Sequence, residues 1–257
     1  MQPVWACGPA RLKQVGFNYS AINLFLIIFW VVTLFAELPS GVIADTYGRM
    51  RVVGVSSIVR GAGLAILAFD RGNLVVLLLS ALLTAVGDSL YSGAPDSWLV
   101  AKLGAERLPH VFSVVSAIGA IVTMVTGYVG AGYLAKISLG LPLMAGAILL
   151  LVVAPLAFVI QRHDDRQRPV QPAKRKINFA SELSNLRQTL FAGLSEVRHS
   201  NIILGYLAAF LPITFIVTGP YNQWQLYFPT GGRLINTANV LIGINLMGIV
   251  GSFGMQY

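Results

Sequence analysis

Apolar residues run along the chain in blocks of membrane-spanning length: 19–42, 52–69, 74–99, 111–134, 139–160, 202–221 and 234–255. Each block approaches or exceeds the roughly 20 residues that cross a hydrocarbon core. None shows the strand alternation of an outer-membrane barrel, and in lipid the backbone groups must then be satisfied within helices. The pattern predicts an all-α polytopic transmembrane bundle of seven spans. Short connections at 70–73 and 135–138 force neighbouring spans into antiparallel hairpins. The interval 161–201 is long and polar. Its first part, QRHDDRQRPVQPAKRK, reads as a solvated linker. Its second part carries Leu183, Leu186, Leu190, Leu194 and Val197 at helical spacing, with Glu182, Arg187, Glu196 and Arg198 off that line, and predicts an amphipathic helix on the membrane surface. The expected organisation is a tail over 1–18, a first helical unit over 19–160, the linker over 161–201 and a second unit over 202–257.

Composition agrees with a membrane protein. The 257 residues are 56% hydrophobic, mean hydropathy is +0.72, and 11% are charged, against about 25% in soluble domains. Lysine and arginine set the orientation. With the first span running inward, one set of connections holds Arg49, Arg51, Lys102, Arg107 and the basic residues of the linker, and the other holds Arg71, Lys136 and Arg233, with Arg11 and Lys13 in the tail. The richer side is expected to be cytoplasmic, leaving the amino terminus external and the carboxyl end of this chain cytoplasmic, in a bacterial inner (plasma) membrane. The same bias accounts for the net charge of +8 without a nucleic-acid partner. The one cysteine, Cys7, has no internal partner, and 1–15 lacks the apolar stretch of a cleavable signal. His110, His163 and His199 stand without a metal-ligand or nucleophile arrangement. No enzyme chemistry, metal site or cofactor is expected.

The most informative polar stretch is ELPSGVIADTYGRMRVV, residues 37–53, between the first two spans. Gly41, Asp45, Gly48, Arg49 and Arg51 stand there in the order Gly-x-x-x-Asp-x-x-Gly-Arg-x-Arg. Glycine permits a tight reversal and close helix approach, an aspartate complements a helix amino terminus, and arginines at headgroup level pair with carboxylates at helix ends. The plain alternative is a turn with ordinary inside-positive charges. Asp96, near the same end of its span and just after Pro95, is either a contact for that bend or a solvated helix-terminal carboxylate. Deeper, Arg60 and Asp88 each lie within an apolar span, where ionised groups are expensive without a partner or a watery cavity. At about 1.5 Å per residue, Arg60 falls roughly 15 Å below the 70–73 turn and Asp88 somewhat deeper. They form either a structural pair or a functional site at which Asp88 exchanges a proton or binds a cation, with Arg60 adjusting it. Gly119, Thr123, Gly127 and Ala131 recur every four residues and predict a helix-packing stripe. In GPYNQWQLYFPTGG, residues 219–232, Tyr221, Gln223 and Trp224 are either interfacial belt residues or the rim of a cavity.

The 41–51 bend, with its flanking spans and predicted side, resembles the signature loop of the major facilitator superfamily between its second and third helices. That resemblance implies a twelve-helix transporter in which GFNYSAINLF begins the second family helix and LIGINLMGIVGSFGMQY matches the eighth, so the chain is expected to be a fragment covering helices two to eight, with 19–160 supplying helices two to six. It further implies secondary active transport of small organic solutes, of efflux type, by alternating access, with the bend acting as a latch that Asp96 joins. Protons are a possible co-substrate, and the bilayer is the surrounding partner. Two departures count against the drug-proton antiporter pattern: Gly127-Tyr128-Val129-Gly130-Ala131-Gly132 lacks the proline of Gly-Pro-x-x-Gly-Gly, and no arginine motif stands in 82–93. Two other classes stay open. A non-transporting membrane partner or truncated remnant predicts no flux after correct insertion. A seven-helix receptor predicts ligand signalling without flux, and its final span here holds no lysine for a retinal Schiff base.

Overall fold

The computed structural model describes residues 8–103, 107–167, 195, 197–198 and 200–227. These form α1 (Gly8–Gln14), α2 (Tyr19–Tyr47), α3 (Arg49–Phe69), α4 (Leu74–Tyr91), α5 (Ala94–Leu103), α6 (Leu108–Val129), a π-helical turn (Gly130–Leu134), α7 (Ala135–Ile137), α8 (Leu141–Gln167) and α9 (Asn201–Tyr227), with no strand among the described residues. The protein is an all-α membrane bundle. Five stretches are long and apolar enough to cross a bilayer: Tyr19–Glu37, Arg49–Phe69, Leu74–Leu103, His110–Ile137 and Leu141–Arg166. Within α9, Asn201–Thr214 is a shorter apolar segment. The expected span at 234–255 and most of the expected surface helix at 183–197 lie outside the described residues.

Local chemistry sets the helix ends. The Asn18 side chain accepts from the Ala21 N–H at 2.9 Å and starts α2. This helix passes the expected end at residue 42 and runs on to Tyr47, so the reversal is made at Gly48, with φ +98°. Between α3 and α4, Asp70 Oδ1 accepts from the N–H groups of Gly72 and Asn73 at 3.0 and 2.9 Å, and Asn73 caps Val75. Within the span expected at 74–99, which Leu74–Leu103 takes in, the helix is interrupted at Ser92 and Gly93, the latter at φ +73°. Pro95 then falls in the first turn of α5, where its missing N–H leaves no helical bond unmade.

α3 is the enclosed helix, with α4 on one side and α8 on the other, and α2 packs on α4. Small residues allow these approaches. A Cβ at Gly63 would lie 2.7 Å from Thr84 Cγ2, one at Gly61 would lie 3.2 Å from the Ala147 carbonyl, and one at Gly54 would lie 2.9 Å from the Phe158 ring. Ser80 Oγ donates across to the Gly63 carbonyl at 2.9 Å. One apolar cluster, at the end of the bundle away from the Gly48 bend, joins Ile22, Phe25, Leu64, Leu67, Leu77 and Leu143 to Leu12 of α1. Part of the sequence expected as a tail is therefore docked on the bundle. Arg11 fastens it further by donating to the carbonyls of Ala68 and Asp70 at 3.4 and 3.3 Å. By contrast, α6 is exposed along most of its length.

Candidate functional site: a charged bend and an interior ion pair

At the Gly48 bend the chain turns from α2 into α3, and α5 and α8 bring polar side chains against it. Arg49 pairs with Asp45 one helical turn back, Nη2 to Oδ1 at 3.1 Å, and its Nη1 donates to the Ser97 carbonyl of α5. Asp45 itself faces outward, its side chain 67% exposed. Arg51 pairs with Asp165 of α8. Gln161 of α8 is buried; its Oε1 accepts from the Met50 N–H at 3.1 Å and its Nε2 donates to Asp165 Oδ1 at 2.8 Å. Asp164 takes Lys102 of α5 as an ion-pair partner and accepts from Trp98 Nε1 at 3.1 Å. The charged bend thus ties α3 and α5 to the last two turns of α8.

Inside the bundle, Arg60 of α3 meets Asp88 of α4, Nη2 to Oδ1 at 2.9 Å. The two partners differ in access: the Arg60 side chain is 8% exposed and that of Asp88 36%. Tyr91 lies one turn beyond Asp88, its ring 5.5 Å from the guanidinium carbon. Arg60 Nη1 has no hydrogen-bond partner among the described residues. Gly87 makes this meeting possible, because a Cβ there would lie 2.3 Å from Arg60 Cγ and 2.9 Å from Arg60 N.

Of the residues singled out from sequence, Gly48, Asp45, Arg49 and Arg51 come together at the bend, and Gly41 lies exposed on α2 with open space around it. Asp96 is exposed and forms no ion pair among the described residues; Arg49 reaches the backbone of the next residue, Ser97, instead. The stripe Gly119, Thr123, Gly127 and Ala131 runs along α6 into the π-helical turn, with Gly119 exposed and Gly127 buried. Gly119 has nothing within 4 Å of a built Cβ, and Ala131 falls in the π-helical turn. A π turn inserts an extra residue into the helical repeat and rotates the four-residue spacing off its line. Tyr221, Gln223 and Trp224 fall within α9, with their side chains outside the described part. α8 stays helical to Gln167, past the start of the linker expected at Gln161. Sequence reasoning therefore misses Gln161, Asp164 and Asp165 as partners of the bend. Their signal is the spacing: positions i, i+3 and i+4 share a helix face once the helix is known to continue.

An apolar helical bundle whose charges gather at one interhelical bend and one interior pair has the build of a polytopic membrane protein. More particularly, residues 6–257 match the Major Facilitator Superfamily, and the chain belongs to that family. It is similar to a protein of Bacillus subtilis (strain 168) described as an uncharacterized MFS-type transporter, YxaM, with 24% identity over 157 residues. That alignment takes in 61% of this chain and 37% of the relative's length. No solved structure matches the chain.

Proposed function

We propose that the protein is a secondary transporter that moves a small organic solute out of the cell by alternating access, with Asp88 as the proton or cation site. The observation that carries this reading is the Arg60–Asp88 pair, set within apolar helices with unequal exposure. An ion pair in a span is expensive, and a membrane protein that keeps one usually uses it on a substrate or proton path. Arg60 is the buried anchor, and Asp88 is the member that water or solute reaches. The Gly48 bend is the latch that holds one access state, on the cytoplasmic face of a bacterial plasma membrane. Its concentration of Arg49, Arg51 and Lys102 supports that side.

The test uses the protein expressed from its complete reading frame. Everted membrane vesicles energised with a proton gradient are loaded with ethidium and a panel of organic anions and cations. Gradient-dependent accumulation is expected for at least one solute, and Asp88→Asn is expected to abolish its dependence on the gradient. Correctly inserted protein that moves none of them would favour the non-transporting partner. Flux whose proton dependence survives Asp88→Asn would remove Asp88 from coupling. Orientation is checked separately: a cysteine at Asp45 labelled by an impermeant maleimide from outside intact cells would overturn the placement of the latch.

A further inference from the structure

The Gly48 bend closes a ring of contacts with α8. The Met50 N–H, in the first turn of α3, has no capping side chain from the residue before its helix, since Gly48 supplies none. Gln161, 111 residues later in the chain, accepts that hydrogen with Oε1 and passes the contact on through Nε2 to Asp165 Oδ1. Asp165 then uses Oδ2 on Arg51, which adjoins Met50 in the same turn. Both ends of one buried amide are used. The amide also lies directly over the bend: a Cβ at Gly48 would meet Gln161 Cδ, Nε2 and Oε1 at 3.0–3.1 Å.

We propose that Gln161, backed by Asp165, is the positioning residue of the signature loop. It fixes the angle at which α3 leaves Gly48. In doing so it sets how the exposed Asp45 and the Arg49 paired with it are presented at the end of the bundle. α8 is also the last described helix before the chain crosses to α9. The seat of the loop therefore lies where the chain leaves the first helical unit. The physical requirement is directional, since position 161 must accept from Met50 and donate to position 165.

This directionality gives a test independent of transport. In a Cys7→Ser background, Ala44→Cys places a buried thiol in the last turn of α2, and its maleimide labelling rate in everted vesicles reads how far the bend opens. Gln161→Leu removes both contacts, and labelling is expected to rise about tenfold, the scale of one buried hydrogen bond left unmade. Gln161→Glu turns a donor into a second carboxylate facing Asp165 and is expected to do the same. The double variant Gln161→Glu/Asp165→Asn reverses the donor and acceptor while its new amide at position 165 keeps an oxygen for Arg51, and it should return labelling to near the parent rate. Unchanged labelling in Gln161→Leu overturns the proposal. So does a double variant that labels as fast as Gln161→Glu, even if Gln161→Leu fails to fold. The latch reading adds one further consequence: any ethidium flux lost in Gln161→Leu should be shared with Asp45→Asn, the double variant losing no more than the worse single. Independent losses would sink that consequence, whereas absence of ethidium flux in the parent would count against transport and leave the labelling outcome to decide the role of Gln161.

Discussion

Replacing Asp88 with leucine tests the interior pair most directly. The Arg60 guanidinium has one ionic partner, at 2.9 Å, and a second nitrogen already without a partner among the described residues. Asp88→Leu leaves the charge buried, with the Tyr91 ring 5.5 Å from the guanidinium carbon. Removing one member of a buried pair costs about 3–5 kcal/mol. Since the Asp88 side chain is 36% exposed, solvent already screens part of the attraction, and the expected loss falls to about 2–3 kcal/mol. Arg60→Met/Asp88→Leu removes both charges and fills the volume with apolar atoms, so it should lie within about 1 kcal/mol of the parent. The measurement is SDS titration in mixed micelles, followed by far-ultraviolet circular dichroism, for the parent, both single variants and the double variant. A coupling near 2 kcal/mol is expected from the cycle. Additive losses, or an Asp88→Leu variant as stable as the parent, would refute the argument that Arg60 depends on Asp88.

The same titration checks further expectations. Gly87→Ala drives a methyl to 2.3 Å from Arg60 Cγ and 3.1 Å from the Ser56 carbonyl, which parts α3 from α4 at a cost of about 2–3 kcal/mol. Gly119→Ala, in open space on α6, should instead gain up to about 1 kcal/mol from helix propensity. Gly48→Ala forces a side chain into φ +98° and onto the Gln161 amide, and should lose at least the backbone strain of about 1–3 kcal/mol. Arg51→Ala should lose less than about 1 kcal/mol, because Arg51 is half exposed, and the loss should shrink further in 1 M salt.

Much of the bundle is legible in the sequence because membrane length and hydropathy leave few options for apolar runs of this size. That Arg60 and Asp88 meet is legible too: two opposite charges in adjacent apolar helices, joined by a four-residue turn, have few other partners. Composition hides the roles of Asp164 and Asp165. RHDDRQ looks the same whether it continues a helix or begins a linker, and the contacts that decide it come from Arg51 and Lys102, far back in the chain. Asp96 is the obvious acid beside the bend, yet a backbone carbonyl one residue on fills the place on Arg49 that an acid would take. The stripe on α6 presumes an unbroken α-helical repeat, and the π-helical turn has no marker in GAGYL that spacing alone reveals. Leu12, a lone apolar residue between two cations, carries no periodicity to announce that it is buried.

The interior pair also bears on how the protein is made. Arg60 emerges from the ribosome before Asp88, and an unpaired arginine near the centre of a helix adds about 2.5–3.5 kcal/mol to its insertion into the bilayer. α3 on its own would carry that charge into lipid, while α4, one short turn later, brings the carboxylate that neutralises it. Insertion of the two helices together, as a hairpin, should therefore be more favourable than insertion of α3 alone. Nascent chains halted after α3 should insert it less completely than chains halted after α4, and Asp88→Leu should erase that gain.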